Sequence, residues 1–148
     1  MALAVSMADA VESLTALWSV AAQGARVRLS PHQLRALRIM EGEPGLNLTA
    51  LAVRMDIGLP AASRLCDRLA AAGLLERELH PRNRRAVRLH LTRPGRQALD
   101  EVAWRRSRRL AAALGAMEPA ELEALGRGLR GFLAAQDDRP GEEDGTGP

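Results

Sequence analysis

The 148-residue chain has no lysine, no tyrosine, one phenylalanine, two tryptophans and a single cysteine, Cys66. One thiol excludes an internal disulfide framework and fits a reducing compartment. No stretch reaches the roughly 18 apolar residues of a membrane span. The opening "MALAVSMADAVESLTALW" has no basic n-region and meets Asp9 and Glu12 before any apolar run develops, so it does not read as a signal peptide. A cytoplasmic chain without a membrane partner is expected. GxSxG and P-loop patterns are absent, Ser63 has no base beside it, and Cys66 lacks an activating neighbour, so no catalysis is expected. His32, His80 and His90 show neither HxxxH nor CxxC spacing with each other or Cys66, so no metal and no cofactor is expected.

The apolar 47% consists mainly of Leu, Ala and Val, which points to a mostly helical protein, and the length fits one domain with one core. All the fixed positive charge is arginine, a residue suited to bidentate phosphate and guanine contacts, although a GC-rich genome gives the same bias. The net charge of +3 conceals an asymmetry. Residues 137–148, "DDRPGEEDGTGP", hold five acids against Arg139, leaving +7 for residues 1–136, while residues 54–109 carry 14 Arg against 6 Asp and Glu. A basic middle suggests a polyanion, nucleic acid first, with a solvated helix face as the plainer reading.

Periodicity orders the chain. Met7, Val11, Leu14, Trp18 and Ala21 form one stripe of a first helix over residues 3–24. Ser30 and Pro31 start a second helix that Gly42 and Pro44 stop, and Asn47 caps a short third, "LTALAVRM". A fourth buries Ala62, Leu65, Cys66 and Leu69 and ends at Gly73. The period then drops to two: Leu75, Arg77 and Leu79, then Val87, Leu89 and Leu91, form two strands joined by the turn "HPRNRR". Thr92 and Pro94 open a long fifth helix to about Leu114. Glu118 and Pro119 open a sixth carrying Leu122, Leu125, Leu129, Phe132 and Leu133, and the acidic end after Gln136 reads as a disordered, inert tail.

Leu51, Ala52 and Met55 before a turn, Ile57 within it, and Ala62 and Leu65 after it are the offsets by which two helices pack as a helix-turn-helix. With a basic hairpin behind it, this order, together with "LSPHQLRALRIM", "RLCDRLAAAGLLER" and "NRRAVRLHLT", resembles the MarR family of bacterial transcription regulators over about residues 3–136. The resemblance implies a mainly α fold with a small β-hairpin wing. It implies a single domain over 1–136, with the winged helix-turn-helix at about 31–92, dimerisation helices at about 3–26 and 93–136, and the tail 137–148 outside it. It further implies a homodimer on pseudo-palindromic double-stranded DNA, usually a repressor released by a small ligand.

Carried over residue by residue, the resemblance puts Ser63, Arg64 and Arg68 on the exposed face of the recognition helix, with Pro60 and Ala61 at its leading edge. Ala61 stands where many relatives have Ser or Thr, leaving an apolar contact to a thymine methyl. Gly58 replaces a common Ser N-cap, and Asp56 occupies a position that is usually Gly and so needs a left-handed or adjusted turn. Arg82, Arg84 and Arg85 are the wing residues expected at the minor groove, and Arg88 is expected to track the backbone. Asn83 stands where the family's wing usually has an acid bracing an arginine, here Arg85. Trp18, Arg28, His32, Arg38 and Trp104 are candidates for an aromatic or anionic effector, against the plainer reading of the tryptophans as core or interface anchors. Two alternatives compete: a sequence-tolerant architectural DNA binder, favoured by the alanine-rich recognition helix, and a module that docks an acidic protein.

Overall fold

A computed structural model describes the backbone of residues 2–80 and 83–137 and the side chains of residues 5–79 and 87–135. The expectations for Arg82 and for the tail beyond Asp137 lie outside the described residues. So do the side chains of Arg84 and Arg85. The elements are α1 (Ala2–Gln23), α2 (Pro31–Gly42), α3 (Leu48–Met55), α4 (Leu59–Ala71), β1 (Leu75–His80), β2 (Asn83–Leu91), α5 (Arg93–Leu114) and α6 (Pro119–Asp137). This is the mainly α winged helix-turn-helix expected from the periodicity. No described helix is long and apolar enough to cross a membrane.

The helix starts follow from local chemistry. Ser30 Oγ accepts from the Gln33 N–H, and Gln33 Oε1 accepts from the Ser30 N–H, a reciprocal box that satisfies two otherwise orphaned donors at the head of α2. Asn47 Oδ1 accepts from the Ala50 N–H at 2.8 Å and starts α3. At the end of α3 the chain turns through Asp56 at φ 55°, ψ 51°, with the Asp56 N–H donating to the Ala52 and Val53 carbonyls. Ile57 N–H then donates to Ala52 O at 3.1 Å, completing a left-handed helix stop built on a non-glycine residue.

The core joins α2, α3, α4, the hairpin and the first half of α5. Leu37, Met40, Leu51, Leu69, Leu74, Leu89 and Val102 are its fully buried large side chains, and Cys66 sits among them. Burial pushes the Cys66 thiol up, so the sulfur behaves as a small apolar group. Two close approaches lock the frame. Gly95 lies where an added Cβ would be 2.2 Å from the Leu74 carbonyl oxygen, so only glycine lets α5 pass the entry to β1. Beside it, Thr92 Oγ1 donates to Gly73 O at 2.6 Å and accepts from the Gly95 N–H at 3.1 Å.

β1 and β2 pair antiparallel with Leu75 opposite Leu91, Arg77 opposite Leu89 and Leu79 opposite Val87. The six-residue turn expected at "HPRNRR" is shorter than that. β1 continues through His80, β2 begins at Asn83, and these two residues pair. Because Leu79 pairs with Val87 and His80 with Asn83, Arg84, Arg85 and Ala86 form a bulged stretch of β2. A bulge interrupts both the ladder and the side-chain alternation, so the period-two pattern could not mark this part of β2. The segment before α3 adds to the hairpin: Gly45 N–H donates to Leu89 O at 3.1 Å, and Leu89 N–H to Leu46 O at 2.9 Å. Gly45 has φ +80° and would carry a Cβ 3.2 Å from the His90 ring, so this junction also requires glycine.

The chain forms two compact units, with the boundary after Leu110, inside α5. In the first, Val5, Met7 and Val11 on α1 are more than half exposed; in the second, Leu129, Phe132 and Leu133 on α6 are about as exposed.

Candidate nucleic-acid interface

α4 presents two chemically distinct faces. Ala62, Leu65, Cys66 and Leu69 turn inward, and at 3.6 residues per turn this leaves Pro60, Arg64, Asp67, Arg68 and Ala71 outward. Pro60, Arg64 and Arg68 are exposed, while Ala61 and Ser63 are half-buried at the flanks. Arg68 Nε donates to the Arg64 carbonyl at 3.3 Å, which fixes the root of that side chain. The Arg64 guanidinium has no protein partner among the described residues. The N-cap, Gly58, supplies no side-chain acceptor, so the first turn has no side-chain cap, and Pro60 within it has no N–H.

Asp67 was legible as an outward residue but not as part of a site. Its carboxylate accepts from Arg77 Nη2 at 2.6 Å, joining the outer face of α4 to β1. Without that partner, a carboxylate would stand in the middle of an otherwise basic face. The sequence showed only an arginine, Arg77, between Leu75 and Leu79 in the alternation, with nothing to name Asp67 as its partner. Ser63, Asp67 and Arg77 line a groove of about 240 Å³ with Leu48, Val87 and Leu89, where the start of α3, α4 and the hairpin meet.

On the hairpin, Arg88 is exposed, lies opposite Glu78 in the ladder and pairs with Asn47 through an isolated bridge. His90 Nε2 lies 3.0 Å from Glu78 Oε2 without the alignment of a hydrogen bond, so the contact is one of proximity only. The backbone of β2 carries Arg84 and Arg85 on its bulged stretch, next to the hairpin tip.

The five effector candidates lie in different surroundings. Arg28 and His32 are exposed, and Trp104 is exposed with the Arg108 guanidinium stacked 5.0 Å from its ring centroid. Arg38 lines a cleft of about 340 Å³, but Glu41 and Asp100 line it too. Trp18 has a partner that the sequence did not announce. Arg106, only 9% exposed, stacks on the Trp18 ring at 4.9 Å, and its Nε donates to the Trp18 carbonyl at 3.3 Å. Burial lowers the Arg106 pKa, and the nearby Arg38 lowers it further. Nearby, Glu101 accepts from the Arg26 N–H at 3.2 Å and from Arg105, whose hydrogen bond is the main reason that its carboxyl is held below the ordinary range. These contacts pin the end of α1 to α5.

A short turn-linked helix pair, an outward basic second helix and a β-hairpin closing against α3 define a winged helix-turn-helix protein. Residues 29–86 match the MarR family profile. A Thauera aromatica protein described as a transcriptional regulatory protein for the hcr operon is 35% identical over 74 residues, which cover 50% of this chain and 45% of that relative. The chain thus aligns with less than half of that relative's length. RV1404 from Mycobacterium tuberculosis superposes with a TM-score of 0.82 at 29% identity, covering 96% of this chain and 94% of that one. FabT of Streptococcus pneumoniae, solved in complex with DNA, gives 0.69 at 18% identity, covering 92% and 96%. The chain is thus similar to the MarR family over residues 29–86 and shares the winged-helix fold of MarR-family proteins.

Proposed function

We propose that the protein is a sequence-specific DNA-binding transcription regulator, a homodimer that represses from a pseudo-palindromic operator. The observation that carries this reading is the outward face of α4, where Arg64 and Arg68 project and Asp67 is neutralised by Arg77, beside a hairpin rich in arginine. A helix of this kind fits the major groove, with arginines reaching guanine edges or phosphates. Ser63, Pro60 and Ala61 complete the recognition surface, and Arg82, Arg84, Arg85 and Arg88 serve the wing. FabT, which shares the fold, was solved on DNA.

Dimerisation is supported by the apolar stripes of α1 and α6, which a single chain leaves in water. A small effector releases the operator in this reading. Arg38 with the buried Arg106 is the better anionic candidate, since Arg106 has no carboxylate partner among the described residues. The apolar first turn of α4 supports a second reading, a sequence-tolerant architectural binder.

The test is fluorescence anisotropy of the full chain on a selected site and on random DNA, for wild type, Arg64→Ala and Arg85→Ala. Each substitution should weaken specific binding by about 1–3 kcal/mol if the guanidinium reaches a base edge. Unchanged affinity in both variants overturns the site assignment.

A further inference from the structure

We propose that the first turn of α4 recognises the C5-methyl groups of pyrimidines, so that sequence preference at those steps is for thymine and is carried by apolar contact rather than by hydrogen bonds. The inference rests on the DNA-binding reading above and deepens it.

Gly58, Leu59, Pro60, Ala61 and Ala62 place five successive residues without a polar side-chain atom at the leading end of the helix. Pro60, exposed near the centre of the outward face, also lacks a backbone N–H to donate. Leu59 is 49% exposed, and it shares the rim of an open, mainly apolar groove of about 570 Å³ with Val53, which is 74% exposed. Scattered apolar residues on a surface need no explanation, but this cluster adjoins the two arginines best placed to hold phosphates or guanines.

Hydrogen-bond readers begin only one turn later, at Ser63 and Arg64. Whatever the leading turn meets in a major groove, it therefore meets without donors or acceptors from its side chains. The apolar feature a base pair offers there is the thymine methyl. Cytosine, with hydrogen at C5, offers no such bulk, so Leu59 and Pro60 would distinguish thymine from cytosine by contact area. The same chemistry accepts 5-methylcytosine, whose hydrogen-bonding edge differs from that of thymine but whose methyl group does not.

The experiment uses the full chain and a site enriched by selection. Each thymine is replaced in turn by uracil, which removes only the methyl, and each T·A pair by 5-methylcytosine·G, which keeps the methyl and changes the edge. One or two positions per half-site should lose about three- to tenfold in affinity with uracil, the effect of one buried methyl. At those positions 5-methylcytosine should bind more tightly than cytosine. Leu59→Ala, at an exposed position and with an unchanged melting temperature, should reduce the thymine-to-uracil ratio towards one. A site that is preferred over random DNA yet indifferent to uracil at every position overturns the methyl reading and leaves the regulator standing. Binding with no preference for any sequence overturns both.

Discussion

Asp56 holds the helix-turn-helix in a conformation that its side chain opposes. At φ 55°, ψ 51° a residue with a Cβ sits in the left-handed region, which costs about 1–2 kcal/mol, with Asp towards the low end. Its carboxylate also stands at the C-terminus of α3, where the helix dipole disfavours negative charge by about 0.3–1 kcal/mol at an exposed site. Asp56→Gly removes both terms but gains unfolded-chain entropy worth about 0.4–1 kcal/mol against folding. The balance is a stabilisation of about 1 kcal/mol, and for a chain of this size roughly 2–4 °C in Tm. Asp56→Asn keeps the conformation and removes the charge, so it should gain only about 0.5 kcal/mol, a gain that shrinks with added salt. Urea unfolding of the three proteins at fixed concentration, at low and high salt, measures both terms. A glycine variant less stable than wild type would refute the claim that the turn is strained.

Gly95→Ala should cost about 1–3 kcal/mol, because the new methyl would lie 2.2 Å from the Leu74 carbonyl, whereas Gly42→Ala, with nothing within 4 Å, should cost nothing; equal melting temperatures for the two would contradict the packing. Arg77→Ala should change stability by less than about 1 kcal/mol, since both ends of the pair are well exposed, yet weaken DNA binding by leaving Asp67 uncompensated. Adding Asp67→Asn to that variant should restore the affinity, and failure to do so would show that Arg77 does not act through Asp67. Because Glu101 has a depressed folded-state pKa, its contribution is present above the ordinary carboxylate range and fades as pH falls through the folded value. Glu101→Gln should therefore flatten the acid limb of Tm against pH; superimposable acid limbs would exclude that role.

The elements of the fold were legible because each carries a local signature: the Ser30–Pro31 start, the Asn47 cap, the shift from period 3.6 to two after Gly73. The turn at Asp56 was legible only in part: the family resemblance puts Asp56 where relatives usually have Gly and left a left-handed or otherwise adjusted turn open, and the left-handed one is found. What escaped were contacts between segments distant in sequence. Nothing in "LERE" says that Arg77 reaches Asp67, only that an arginine sits among leucines. The burial of Arg106 against Trp18 joins residues 88 positions apart, and no periodicity encodes it. Gly95 reads as an ordinary glycine after a proline until Leu74 O is found beside it. The extent of β2 was missed because Arg84, Arg85 and Ala86 bulge between the His80–Asn83 and Leu79–Val87 pairs, so no side-chain alternation runs through them.

The central claim, that this chain reads sequence in DNA as a dimer, is tested most directly by selection. Purified protein at near-physiological salt retains fragments of its source genome, and the retained fragments are sequenced. Enrichment of a short inverted repeat is the predicted result, with half-sites about one helical turn apart. Retention that falls with salt but shares no sequence would contradict the claim and favour the architectural reading.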